Sequence, residues 1–199
     1  MEKAADQGSA VAQYMLGQRY ENGRGVTKDY VKAVEWYQKA AKQGDAEAQY
    51  ILGCMYDDGR GVIKDEQKAF KWYQKAAGQG YAKAQFNLGV SYANGQGIAE
   101  DEKKAVEWYQ KAAEQGHVGA QYNLGVIYEG GMGIKQNYKQ AVSWYQAATE
   151  KGSPIAQASL ARMYFNGWGI KKDIKRADAL LQLVHKEIQA GAERGDIEC

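Results

Sequence analysis

A chain of 199 residues with 45% apolar content can bury a sizeable core, which excludes a natively disordered segment. Its 26 basic and 24 acidic residues leave a formal charge of +2 with no basic run, so a nucleic-acid partner is not expected, and no apolar stretch of about 20 residues suggests membrane insertion. The two cysteines, Cys54 and Cys199, form neither a disulfide framework nor a Cys-x-x-Cys metal or redox pair.

Taken from the start, Glu2 to Gly8 reads EKAADQG and aligns with QKAAKQG at Gln38 to Gly44. The chain is therefore expected to begin inside the second helix of a repeat, residues 1–8, with further repeats and room for an export signal upstream. Residues 23–29, GRGVTKD, have two glycines one residue apart and could be half of a phosphate-binding loop. A dinucleotide fingerprint needs a third glycine and a P-loop needs Gly-Lys-Ser/Thr; Gly-Val-Thr-Lys at 25–28 completes neither. The same turn returns instead as GRGVIKD from Gly59, GQGIAED from Gly95, GMGIKQN from Gly131 and GWGIKKD from Gly167, always 36 residues on. Leu16, Leu52, Leu88, Leu124 and Leu160 keep that register, as do Trp36, Trp72, Trp108 and Trp144. Five units follow, at 9–44, 45–80, 81–116, 117–152 and 153–188, with a C-terminal cap or tail at 189–199; all of 1–199 reads as one repeat domain.

Each unit predicts two short helices, A and B. In the second unit, helix A is expected over Ala46 to Asp58 with Asp45 as N-cap, and helix B over Glu66 to Gly78 with Asp65 as N-cap. Gly44, Gly80, Gly116 and Gly152 close the B helices in the left-handed conformation. On helix A the recurrent Ala48, Gln49, Leu52, Gly53 and Tyr56 share one arc, the predicted packed side, with Gly53 admitting an adjacent helix. On helix B the stripe is Ala69, Trp72, Tyr73, Ala76 and Ala77, the Trp-Tyr pair serving as core filling. A pair of this size cannot bury its apolar side alone, so units must stack.

The pattern Ala-Gln-x-x-Leu-Gly-x-x-Tyr, then Gly-x-Gly-Val/Ile, then Ala-x-x-Trp-Tyr-x-x-Ala-Ala-x-x-Gly resembles the Sel-one-like repeat family, a relative of tetratricopeptide repeats. The resemblance covers nearly the whole chain. It departs at the end, where Leu180 and Leu181 replace Trp and Tyr and Val184 and His185 replace the alanine pair, which reads as a cap. It implies an all-α fold, an α/α right-handed superhelical solenoid with A helices lining its concave side, and a scaffold or adaptor role, often in bacteria. Some members of that family neutralise secreted bacterial toxins, a second role the resemblance allows.

The A-helix positions opposite the packed arc keep apolar residues without strict recurrence: Val11, Met15, Ile51, Val90, Val126 and Ile155. The outward B-helix positions of the first four units are polar apart from Val31 and the small Gly78. That contrast suits a groove for a partner protein or peptide. Beside it runs an aromatic row, Tyr14, Tyr50, Phe86 and Tyr122, either packing between neighbouring A helices or presenting edges to the partner. Arg19 and Arg162 could orient acidic groups, and Trp168, between two turn glycines, either covers the last repeat or makes a contact. His117, at an N-cap position, and His185 have no fixed-spacing Cys, Ser or acid beside them, so no catalytic residues, metal or cofactor are expected, and an enzyme is the weakest reading. The paired helix-end acids, such as Asp57 and Asp58, read as solvated ends. A monomer is the expected oligomeric state, and nothing in the chain specifies a compartment.

Overall fold

The structure, a computed structural model, describes residues 2–193, and every regular element among them is α-helical. The chain falls into two compact units, one ending at Lys111 and the other beginning at Ala112. The first holds α1 (Glu2–Asp6), α2 (Ala10–Asn22), α3 (Tyr30–Lys42), α4 (Ala46–Asp58), α5 (Glu66–Gly78) and α6 (Ala82–Asn94), and most of α7 (Glu102–Glu114). The second holds α8 (Val118–Gly130), α9 (Tyr138–Glu150), α10 (Pro154–Asn166) and α11 (Ile174–Glu193). The even-numbered helices from α2 to α10 are A helices, and the odd-numbered ones are B helices.

The helix limits follow from their caps. Asp45 accepts a hydrogen bond from the Ala48 N–H at 2.8 Å and Asp65 from the Lys68 N–H at 2.9 Å, so α4 and α5 start where the sequence predicts. His117 does the same for α8, its Nδ1 accepting from the Ala120 N–H at 3.2 Å. A helices end on a left-handed glycine such as Gly59, and the chain is then clasped by its own backbone: the Asp65 N–H donates to the Tyr56 carbonyl at 2.9 Å. The same bond joins Asp29 to Tyr20, Asp101 to Tyr92, Asn137 to Tyr128 and Asp173 to Tyr164.

The core of the first unit lies between successive helices, with Ala33, Val34, Tyr37, Ala40 and Ala41 of α3 packed against Ala48, Leu52 and Met55 of α4. In the second unit Ala141, Val142 and Tyr145 of α9 meet Leu160, Ala161, Met163 and Tyr164 of α10 and Ala177 of α11. Polar joins accompany this packing. The buried Gln49 donates its Nε2 to the Ala41 carbonyl at 3.0 Å, and its Oε1 accepts from Gln79 Nε2 at 2.8 Å. Gln13 reaches Ala5 and Gln121 reaches Ala113 in the same way, so Ala5 of α1 plays toward α2 the part that Ala41 of α3 plays toward α4.

Several positions gain detail from the structure. Gly53 admits the Tyr73 ring of the adjacent α5, the helix B of its own repeat, as Gly17 admits Tyr37, where a Cβ would stand 2.7 Å from the ring. The tryptophans are half-buried: Trp36 and Trp72 pack against the core with one face, and on the other carry the lysine one turn on, Lys39 Nζ lying 3.6 Å from the Trp36 ring centre and Lys75 4.3 Å from that of Trp72. The register of Met55, Ser91, Ile127 and Met163 is buried, although its first member, Arg19, is exposed. Helix α11 runs to Glu193, so it spans the end of the fifth unit and enters the segment read as a cap or tail; residues 194–199 of that segment lie outside the described residues. Within α11, Asp178 is exposed at the register where Val34, Phe70, Val106 and Val142 are buried.

The aspartate caps make stability pH-dependent. Backbone N–H groups, led by those of Lys68 and Lys104, and then the lysine side chains hold the half-buried Asp65 and Asp101 carboxyls below their ordinary value of 3.8. A depressed carboxylate contributes stability above its unfolded value and loses it as pH falls through the folded one. The melting temperature is therefore expected to drop on acidification below about pH 4. That drop should be shallower in the Asp65→Asn/Asp101→Asn variant, whose caps cannot titrate.

Candidate functional site

The A-helix faces turned away from the core carry the predicted residues. On α2, Val11 is 65% and Met15 42% exposed, and on α10 Ile155 is 55% exposed. Ile51, Val90 and Val126 are half-buried on α4, α6 and α8. Ile51 and Val126 also touch the core clusters of their units, so they serve packing as well as surface.

Each ring of the aromatic row lies tilted on the helix-B tyrosine of its own repeat. Tyr14 sits 5.8 Å from Tyr37, Tyr50 6.1 Å from Tyr73, Phe86 5.8 Å from Tyr109 and Tyr122 6.0 Å from Tyr145, centre to centre. Each ring thus has a partner within its own repeat, and all four remain half-buried. Tyr50 meets a second ring, Tyr81, at 5.3 Å.

Beneath the row run polar clusters that the sequence reading took for solvated helix ends. The buried Tyr37 hydroxyl donates to Glu21 Oε2 at 2.6 Å, and Arg60, from the turn of the next repeat, donates Nη1 to Glu21 Oε1 at 2.9 Å and Nε to Asp58 at 3.0 Å. In the second unit the Tyr145 hydroxyl and Arg162 Nη2 both donate to Glu129 Oε2 at 2.7 Å. The Glu21 and Glu129 side chains are each only 16% exposed, because a buried phenol needs an acceptor. Arg162 is thereby already engaged, whereas Arg19 is exposed. Burial first, and then the neighbouring carboxylate, push the Tyr37 and Tyr145 hydroxyls above their ordinary range, so they act as fixed donors rather than acid–base groups. Burial likewise raises the Cys54 thiol and quiets it as a nucleophile.

Two hollows bring predicted residues together. One of about 390 Å³ joins Met15 and Arg19 with Gln18 and Arg24. Another of about 450 Å³ in the second unit joins Tyr122, Val126 and Arg162 with Glu129, Met132 and Trp168. Trp168, 39% exposed, stacks on Tyr138 with ring centres 5.5 Å apart. Glu129 and Tyr138 escaped the sequence reading; the signal for Glu129 was the acid sixteen residues before a tyrosine in units one, two and four. Among the described residues no group of three or more His, Cys, Asp or Glu could hold a metal ion, and no helix is long and apolar enough to cross a membrane.

Comparison with known proteins agrees with this architecture. The Sel1 repeat family matches residues 1–9, 10–45, 46–81, 82–117, 118–153 and 154–183. A protective antigen of uropathogenic Escherichia coli strains displaying this repeat fold is 40% identical, with a TM-score of 0.92 over 94% of this chain and 40% of its own. A Sel1 repeat protein from Oxalobacter formigenes is 39% identical, with a TM-score of 0.86 over 90% of this chain and 74% of its own. Helicobacter pylori cysteine rich protein B is 31% identical, with a TM-score of 0.53 over 65% of this chain and 92% of its own. The chain thus spans two fifths of the length of the Escherichia coli protein. No curated protein gives a significant match. With six matched repeats over nearly all its length and the helix pairs to go with them, the chain belongs to the Sel1 repeat family.

Proposed function

We propose that this chain is a non-catalytic adaptor that docks a partner protein or peptide on the outward faces of its A helices. Sel1 repeat proteins are in general protein-interaction scaffolds and typically non-catalytic, which supports the reading at the level of the family. The observation that carries it here is asymmetry of exposure. Val11, Met15 and Ile155 stand 65%, 42% and 55% exposed on A helices, whereas the outward positions of α3, α5, α7 and α9 carry lysine, glutamine and glutamate almost throughout, Val31 excepted; the last B helix, α11, does expose Leu181 and Leu183. Apolar side chains held in water on the A helices and rare on the B helices of the first four units are what an interface needs. Affinity would then come from a few such anchors.

Val11→Asp combined with Met15→Asp is expected to weaken capture of a stoichiometric partner by tenfold or more, about 1.4 kcal/mol, with the melting temperature unchanged. Hydrogen exchange in the complex should protect α2, α4, α6, α8 and α10. Protection confined to the B helices, or capture indifferent to the two aspartates, would remove the basis of the proposal. Ile51 is the wrong probe, since its core contacts would mix lost binding with lost stability.

A further inference from the structure

The 450 Å³ hollow of the second unit has an internal counterpart three repeats earlier. Glu129, Tyr138, Tyr145 and Trp168 stand at the registers of Glu21, Tyr30, Tyr37 and Arg60. In the first unit the turn residue Arg60 closes the site itself, its Nη1 taking one oxygen of Glu21 at 2.9 Å while the Tyr37 hydroxyl takes the other at 2.6 Å. In the second unit the turn residue is Trp168, which carries no guanidinium and stacks on Tyr138 as a wall. Arg162 comes from α10 to Glu129, but it shares Oε2 with Tyr145, both at 2.7 Å, and leaves Oε1 without a hydrogen bond from the described residues. Its side chain is 53% exposed, so it lies at the outer edge of the site. The hollow therefore keeps the acceptor, and the guanidinium that reaches it comes from α10 at its edge instead of from the turn, leaving one carboxylate oxygen open.

We propose that this hollow receives an arginine side chain from the docked partner, its guanidinium hydrogen-bonding Glu129 Oε1 and lying against the Trp168 ring, with its aliphatic stem on Met132 and Val126. The inference rests on the partner docking at the A helices and names the chemistry of one anchor. A planar guanidinium suits both surfaces, since it donates to a carboxylate and stacks on an aromatic face. Arg162 is a like charge nearby, so its removal should help the guest.

The test uses the full chain and blocked acetyl-Gly-X-Gly-amide peptides, with X arginine, citrulline or leucine, titrated by tryptophan fluorescence and by the amide signals of Met132 and Trp168. The arginine peptide is expected to saturate those signals and to bind about tenfold more tightly than citrulline, which has the shape without the charge. Glu129→Gln should abolish that preference, and Arg162→Gln should strengthen it. Trp168→Arg, which restores in cis the wiring of Arg60, should block the site while the helical signal and melting temperature stay unchanged. Leucine binding as well as arginine, or arginine binding untouched in Trp168→Arg, would overturn the assignment. No saturable arginine binding, with partner capture still sensitive to Val11→Asp, would overturn it alone and leave the docking face standing.

Discussion

Replacing Leu88 with alanine is expected to cost about 2 to 5 kcal/mol, the range for removing a buried leucine and leaving a cavity. Leu88 is 0% exposed on α6, one of the leucines that recur every 36 residues at the seam between helices. Ala84, one turn earlier on the same helix, is also 0% exposed, and a methyl group has no rotamers with which to refill a void. Urea unfolding reports the loss as a lower midpoint. The matched control is Ile63→Ala at a turn where the side chain is 90% exposed, for which the change should stay within about 0.5 kcal/mol. Equal midpoints for the two variants would mean that the leucine register is not the core.

The second large effect concerns the glycine turn. Gly61 sits at φ +70°, and an added Cβ would also run into the backbone carbonyl of Tyr30 on the preceding repeat. Gly25, at φ +75°, is the same turn position in the first repeat, where a Cβ would meet nothing within 4 Å. Gly25→Ala should therefore cost only the left-handed strain, about 1 to 2 kcal/mol. Gly61→Ala adds the displacement of a main chain that has no rotamer to change, so its loss should exceed that of Gly25→Ala by at least about 1 kcal/mol. Comparable losses for both would show that the turn is needed for its conformation alone and not as a seat for the neighbouring repeat.

The limits of α4 and α5 were legible because Asp45, Asp65 and the left-handed glycines punctuate the chain locally, and five copies repeat the punctuation. The packed arc was legible for the same reason. What recurrence could not show is which neighbour a residue meets: Gly53 recurs because of a ring twenty residues on, and Gln49 because of a carbonyl eight residues back. Variation hid the rest. Met55, Ser91, Ile127 and Met163 differ too much to read as one buried register, and the acceptor for the helix-B tyrosine, Glu21, Asp57 or Glu129, is Ala93 in the third copy and Phe165 in the fifth. In the fifth copy the partner of Phe165 is Leu181 and the glycine beneath is Ala161, so ring, notch and acceptor were exchanged together. The open A-helix face was legible as a class of surface, but the split between exposed Val11 and half-buried Ile51 depends on packing that no periodicity records.

The amide of Gln49 bonds backward to Ala41 while its own carbonyl is met by Gln79, and Gln85 reaches back to Ala77 just as Gln49 does to Ala41. The early modules therefore offer the same plug at the front and the same socket at the rear, a pattern that changes at the fourth, where Thr149 and Lys151 replace the alanine and the glutamine. Excising residues 45–80 would bring Gln85 to the socket at Ala41 with the spacing intact. A gene of this kind can lengthen or shorten by whole modules through recombination without inventing a new joint, so selection is free to tune reach while the connectors stay constant.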